Sequence, residues 1–257
     1  MVAPLRDRVV HRLVYEYLLP LFDKTFLYDV WSCRKNKGLF GAIVRTQGLM
    51  RRYRHSVIWR ADVEKFFDHV NHDILFSLIS RKTTDIKMLS IIKEIISSYS
   101  VSCERENGTA RQGIPIGNLT SQIFSNIYLN EFDRFVVHNL KPKAYIRYGD
   151  DFVFFARTRI EANNLRNRSR MFLRDALKLS MHRKNDIIVK ARHGIHFLGV
   201  DIFPFGRRLR ERMLRKIFRT LCPRNIGSYA TLIRVHGKPK QMKELAWRGL
   251  EISRDIL

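Results

Sequence analysis

Two adjacent carboxylates, Asp150 and Asp151, stand between two short apolar runs, Ala144-Tyr145-Ile146 and Phe152-Val153-Phe154-Phe155. Aromatic and β-branched runs of this length, broken by Gly149, predict strands over 143–148 and 152–156, folded back at a tight 149–151 turn. Backbone register then holds the two like charges side by side. Their sequence neighbours predict no hydrogen-bonding shell, so a divalent cation is the natural relief. A third carboxylate, Asp62, ends another apolar stretch, predicted as a strand over 56–62. If that strand lies beside the hairpin, all three carboxylates converge. Convergent carboxylates without His or Cys suit a hard, oxygen-seeking ion such as Mg²⁺. Asp-Asp alone is a common turn dipeptide. Arg147-Tyr148-Gly149-Asp150-Asp151-Phe152-Val153 is far more specific.

The rest of the chain opposes this acidic point. Its 257 residues carry 48 Lys or Arg and 24 Asp or Glu, a formal charge of +24. The apolar share of 45% predicts a folded chain rather than a disordered basic tail. So much positive charge on a folded chain points to a polyanionic partner, nucleic acid first. Composition alone leaves a ribosome-bound structural protein equally open. No run approaches 18 apolar residues, so no membrane span is expected, and residues 1–8 lack a secretory apolar core. Cys33, Cys103 and Cys222 are too scattered for a disulfide set or a zinc site, which predicts a reducing, cytoplasmic setting.

Apolar spacing predicts helices over 7–21, 41–54, 71–80, 85–99, 119–139 and 160–179. Glu106-Asn107-Gly108 predicts a hairpin turn within 101–113. Stretches 186–190 and 195–201 are predicted to pair as strands, and the chain from 207 onward to be mostly helical. This order predicts an α+β fold, an antiparallel sheet carrying helices on one face.

Tyr148-Gly149-Asp150-Asp151 resembles the Y-x-D-D signature of reverse transcriptases. Asp62-Val63-Glu64-Lys65-Phe66-Phe67-Asp68 resembles the same family's first catalytic motif. Arg111-Gln112-Gly113-Ile114-Pro115-Ile116-Gly117 resembles the motif between them, and Phe197-Leu198-Gly199 its primer-grip turn. The resemblance implies a right-hand polymerase with truncated fingers (1–56), a palm (57–200, with a fingers insertion about 75–115) and a short helical thumb (201–257). Segments that family members usually carry before the one resembling Pro4-Leu5-Arg6-Asp7-Arg8-Val9-Val10-His11 would add fingers strands. The pattern Ile116-Gly117-Asn118-Leu119-Thr120-Ser121-Gln122 resembles the reverse transcriptases of diversity-generating retroelements. Those enzymes copy a template-repeat RNA with frequent errors at adenines. A group II intron or phage-defence enzyme, or an inactive RNA-binding remnant, stays open.

The resemblance implies RNA-directed DNA synthesis with two Mg²⁺ ions, Mn²⁺ being a possible substitute. Asp62, Asp150 and Asp151 would be catalytic metal ligands, with Val63 beside them. Phe67 would be the steric gate against a ribose 2′-hydroxyl. Ile116, Gly117 and Gln122 would meet the nucleotide, and Arg34 and Lys35 the triphosphate or template. Lys184 would protonate the leaving pyrophosphate. Tyr148 would contact nucleic acid, and Phe197, Leu198 and Gly199 the primer. The basic stretch 207–219, with Arg207, Arg208, Arg212 and Arg215, is predicted to be an amphipathic helix along a template–primer backbone. Implied partners are template RNA, a DNA primer, dNTPs and a small basic accessory protein.

Overall fold

The computed structural model describes residues 4–99 and 112–254. The predicted turn at Glu106-Asn107-Gly108, together with Arg111 and Cys103, lies outside them. The chain forms two compact units, 1–42 with 56–188 and 43–55 with 189–257.

The first unit is built around an antiparallel core of three strands: β1 (Val57–Asp62), β2 (Ala144–Tyr148) and β3 (Asp151–Ala156). A short strand, β4 (Ile187–Lys190), begins in this unit and completes the order β2-β3-β1-β4. Alternation sorts the side chains onto two faces. Trp59 and Ala61 of β1 lie opposite Phe154 and Phe152 of β3, which lie opposite Tyr145 and Arg147 of β2. This face packs on helices α6 (Leu119–Phe135) and α7 (Arg159–Leu177) through an aromatic layer. Trp59 stacks on Phe154 at 4.6 Å and Phe132 sits 5.4 Å from Phe152. The opposite face carries Arg60, Asp62, Asp151 and Tyr148 at one end.

Helix boundaries follow capping chemistry. After α2 (Leu39–Arg52) and the short α3 (Phe66–His69), Asn71 accepts a bond from the Ile74 amide to start α4 (His72–Ser80), and Asp85 accepts from Met88 to start α5 (Ile86–Ser97). Thr158 does the same for α7 through the Glu161 amide. Helix α1 (Leu5–Phe22) buries His11, Val14, Leu18 and Phe22, and His11 Nδ1 bonds Thr120 at 2.8 Å. The predicted helix over 119–139 runs as α6 into a π-helical turn at Val136–Leu140.

The second unit differs from expectation in two places. Stretches 186–190 and 195–201 do not pair. β4 belongs to the first sheet, whereas β5 (Ile195–Phe197) turns at Leu198-Gly199 and pairs with β6 (Val200–Phe203) in a separate sheet, β5-β6-β7. Leu198 (φ 53°) and Gly199 (φ 82°) are both left-handed, which a two-residue turn of this kind demands. A leucine there carries no sequence signal for a turn. Likewise Arg207 and Arg208 lie on strand β7 (Gly206–Leu209), not on a helix, because the Pro204-Phe205 turn folds 206–209 back onto β6. Helices α8 (Glu211–Arg219), α9 (Ile226–His236) and α10 (Pro239–Arg254) follow. No helix among the described residues is long and apolar enough to cross a membrane.

Candidate active site

The register of β1 on β3 sets Asp62 directly opposite Asp151, and Asp150 occupies the two-residue turn between β2 and β3. Gly149, the other turn residue, has φ 63°, a conformation that L side chains rarely adopt. The three carboxylates are thus brought to one end of one sheet face, as their spacing predicts.

They are not equivalent. Contrary to the expectation of no shell, Arg60 Nη2 donates to Asp151 Oδ1 at 2.8 Å. Arg60 lies two residues before Asp62 on the same face of β1, so its guanidinium reaches the neighbouring strand's carboxylate. Asp62 Oδ2 accepts from Asn185 Nδ2 at 2.9 Å, while Asp62 Oδ1 is buried with no hydrogen-bond partner. Burial raises the Asp62 carboxyl above its ordinary value, with the Asp151 charge adding to the rise. Asp150 is pushed up to about 6, first by burial and then by the charges of Asp151 and Asp62. An orphaned oxygen on one acid and a raised proton affinity on its neighbour are what a bound cation would relieve. No group of three or more His, Cys, Asp or Glu among the described residues forms a preassembled cation cage. The residues that fit a divalent ion are Asp62 and Asp150. Val63 is buried, leaving its backbone as its only polar contribution.

The turn that carries Asp150 is held from both sides. Arg147 points to the helix face, where it is fully buried against the equally buried Asp133 of α6. Its Nη2 donates to Asp133 Oδ2 at 2.6 Å, and its Nη1 donates to Asn126 Oδ1 and to the Gly149 carbonyl at 2.8 Å. The Gly149 amide donates to Ser32 Oγ at 2.8 Å, and Asn126 holds the Ser32 carbonyl. Segment 29–31 runs along β2, with Arg147 N bonded to Asp29 O and Trp31 N to Arg147 O. Both polar backbone groups of Gly149 are therefore fixed by buried side chains. None of Arg60, Asn185, Asp133, Asn126 or Ser32 is singled out by the motifs, and Arg147 enters them with no role assigned. An Arg inside an apolar strand and an Asp inside an apolar helix stripe were the available signals.

Other expected residues fall around this end or away from it. Phe66 is core, and Phe67 is half-buried with its carbonyl accepting from the Ile114 amide. Ile116 is 72% exposed and Gly117 has φ 102° in the loop before α6. Gln122 is half-buried on the first turns of α6, and Tyr148 half-buried at the end of β2. Segment 180–185 lies along Asp62: His182 N donates to Asp62 O, Glu64 N to Ser180 O, and Lys184 is exposed within it. Arg34 is not free for a triphosphate. Its guanidinium is committed to the Asp23 carboxylate at 2.7 Å and to the Leu27 carbonyl, leaving exposed Lys35 as the available cation.

In the second unit Phe197 is fully buried, so its ring anchors the turn and only Leu198 and Gly199 present the turn outward. Beside that turn lies a cleft of about 1020 Å³ lined by His196, Gly199, Arg210, Arg212, Met213, Arg215, Lys216 and Arg219. Arg208 and Arg210 are partly tied to Asp201. Arg207 is half-buried and holds His236 down to about 4 together with burial, burial being the larger cause.

The chain is 25% identical over 234 residues to protein YkfC of Escherichia coli, covering 77% of this chain and 61% of YkfC. It is 22% identical over 203 residues to the group II intron-encoded protein LtrA of Lactococcus lactis, covering 55% of this chain and 34% of LtrA. It therefore spans less than two thirds of either relative. Among solved structures, telomerase from Candida albicans in complex with a TWJ fragment of telomeric RNA matches with TM-score 0.57 at 10% identity. That match covers 95% of this chain and 47% of the other. Apo telomerase from Candida tropicalis truncated from its C-terminal domain matches with TM-score 0.53 at 16% identity, covering 79% and 44%. Both show a polymerase-like α+β fold. The model of the family described as reverse transcriptase (RNA-dependent DNA polymerase) matches residues 1–202, across the whole carboxylate end of the sheet, and the chain belongs to that family.

Proposed function

We propose that the chain is an RNA-directed DNA polymerase whose centre is the carboxylate end of the first sheet. The observation that carries this reading is Asp62 set opposite Asp151 beside Asp150, with an unpartnered buried oxygen on Asp62 and a raised carboxyl on Asp150. Asp62 and Asp150 would hold divalent cations, Mg²⁺ by preference. When bound, such ions lower the barrier for attack of a primer 3′-hydroxyl on a dNTP and neutralise the leaving pyrophosphate. The protein's own part is positioning and charge. Arg60 holds Asp151 in place through its ion pair, and Arg147 with Ser32 fixes the Asp150 turn. Phe67 would bar a 2′-hydroxyl, Ile116, Gly117 and Gln122 would border the nucleotide, and Lys184 would supply a proton to pyrophosphate. The cleft at Arg212 and Arg215 would take the template–primer backbone, giving affinity without sequence choice. Fingers, palm and thumb would be 1–56, 57–200 and 201–257.

Within the family we favour the diversity-generating branch, because an apolar Ile116 where an oriented amide is usual loosens base selection. The likeness to LtrA favours a second reading, a group II intron-type enzyme. Sequencing cDNA made on a defined RNA template separates them: errors gathered opposite template adenines support the first, and an even, low error spectrum the second. A small basic accessory protein belongs to the first reading only.

A further inference from the structure

The β6–β7 hairpin of the second unit ends in an unusual tip. Two-residue turns ordinarily take Gly, Asn or Asp. Here the turn is Pro204-Phe205, and the Phe205 ring is 72% exposed. The tip is not loose. Gln47 Nε2 of α2 (Leu39–Arg52) donates to the Phe203 carbonyl at 3.3 Å, and Arg51 Nε to the Pro204 carbonyl at 3.5 Å. Below the tip, Gly194 is pressed so closely on the Phe203 ring that a Cβ there would come within 2.6 Å of it. The backbone that carries the Phe205 ring is thus held while the apolar ring stands in water, where covering it is favourable.

Its surroundings define what could cover it. Arg51 lies 5.8 Å from the Phe205 ring centroid. A cleft of about 300 Å³ beside the ring is lined by Arg54, His55, Arg192, Phe203, Pro204, Phe205 and Gly206, with Arg54, His55 and Arg192 exposed. Among the described residues no carboxylate lines it. A preset aromatic face ringed by cations matches a nucleobase joined to phosphates. In a duplex the base faces are already stacked, so only an unpaired base can cover the ring. An acidic peptide would answer the cations but offer no planar face to Phe205.

We propose that this tip is a docking point for single-stranded nucleic acid, with one unpaired base stacked on Phe205 and adjoining phosphates on Arg54 and Arg192. It goes beyond the polymerase reading and rests on that reading only for where the strand comes from.

The test uses the full chain and a short single-stranded RNA carrying 5-iodouridine, irradiated, digested with trypsin and mapped by mass spectrometry. The expected crosslink falls on Phe205, in the peptide between Arg192 and Arg207. Phe205→Ala should abolish it and weaken binding about 5- to 100-fold, whereas Phe205→Tyr should retain both. Arg54→Gln with Arg192→Gln should flatten the slope of log K against log salt by about 1.4. Wild-type affinity and crosslinking in Phe205→Ala would overturn the proposal. So would poly-glutamate displacing the crosslink as well as unlabelled RNA does, which would assign the tip to an acidic protein. Extension of an annealed DNA primer along an RNA template is scored in parallel. Its absence in the wild type would sink the polymerase reading and leave the crosslink result standing.

Discussion

The two units handle charge in opposite ways. Residues 43–55 and 189–257 carry 20 Lys or Arg against five Asp or Glu, while the rest of the chain carries 28 against 19. In the second unit Asp201 answers His196, Arg208 and Arg210, and among the described residues the cleft beside the Leu198-Gly199 turn presents basic side chains without an acid. In the first unit the reverse holds at one point: three acids share a sheet end and one guanidinium, that of Arg60. Each excess is self-repulsive and is relieved by opposite charge. On the proposed reading, small cations would complete the acidic end and a polyanion the basic surface. Catalysis and holding are thereby separable, and substitutions should divide along the same line.

The sharpest division concerns Asp62. Asp62→Asn removes one cation-fitting carboxylate and should lower primer extension by about a thousandfold or more, several kcal/mol of lost charge stabilisation. RNA affinity measured by anisotropy should stay within about twofold, because phosphate contacts set it. A parallel fall in RNA affinity would break the separation.

The next effect is on folding. Asp133→Ala strands a fully buried Arg147, and the expected destabilisation is about 3–5 kcal/mol by denaturant titration. A loss under about 1 kcal/mol would show that the Asp150 turn does not depend on this pair.

On the basic side, Arg212→Gln with Arg215→Gln should weaken template–primer binding roughly tenfold and reduce the salt slope by about 1.8. Maximal extension at saturating template–primer should be unchanged. A changed maximal rate would place these residues in the acidic centre's work.

The smallest effect is on pH. Asp150 rises from 3.8 to about 6 on folding, so without a cation the folded chain holds the extra proton and its stability falls as pH climbs through that window. A cation needs the ionised form. Mg²⁺ should therefore raise the melting temperature more at about pH 7.5 than at about pH 5, and extension should lose up to tenfold per unit below about pH 6. Equal stabilisation at both values would detach Asp150 from the cation.

Much of the acidic end was legible because strand register converts sequence position into space. Apolar runs ending in Asp62 and flanking Asp150-Asp151 suffice to set the three carboxylates together. Their inequality was not legible, since the reach of Arg60 to Asp151 depends on which residue opposes which. The burial of Arg147 follows from the parity of β2, where it shares a face with Tyr145, but its partner Asp133 lies on a helix whose rotation the motifs do not specify. In the second unit the apolar pattern ran a strand through Leu198, where the resemblance alone marked a turn, and Arg207-Arg208 hid a strand by being charged.

The most direct measurement is dNTP incorporation by the full chain on an RNA template with an annealed DNA primer and Mg²⁺, beside Asp150→Asn. Template-directed extension by the wild type, abolished by the substitution and by chelator, is the predicted result. No extension by a wild type that binds the template–primer, or undiminished extension by Asp150→Asn, would contradict the assignment of the carboxylate end as the polymerase centre.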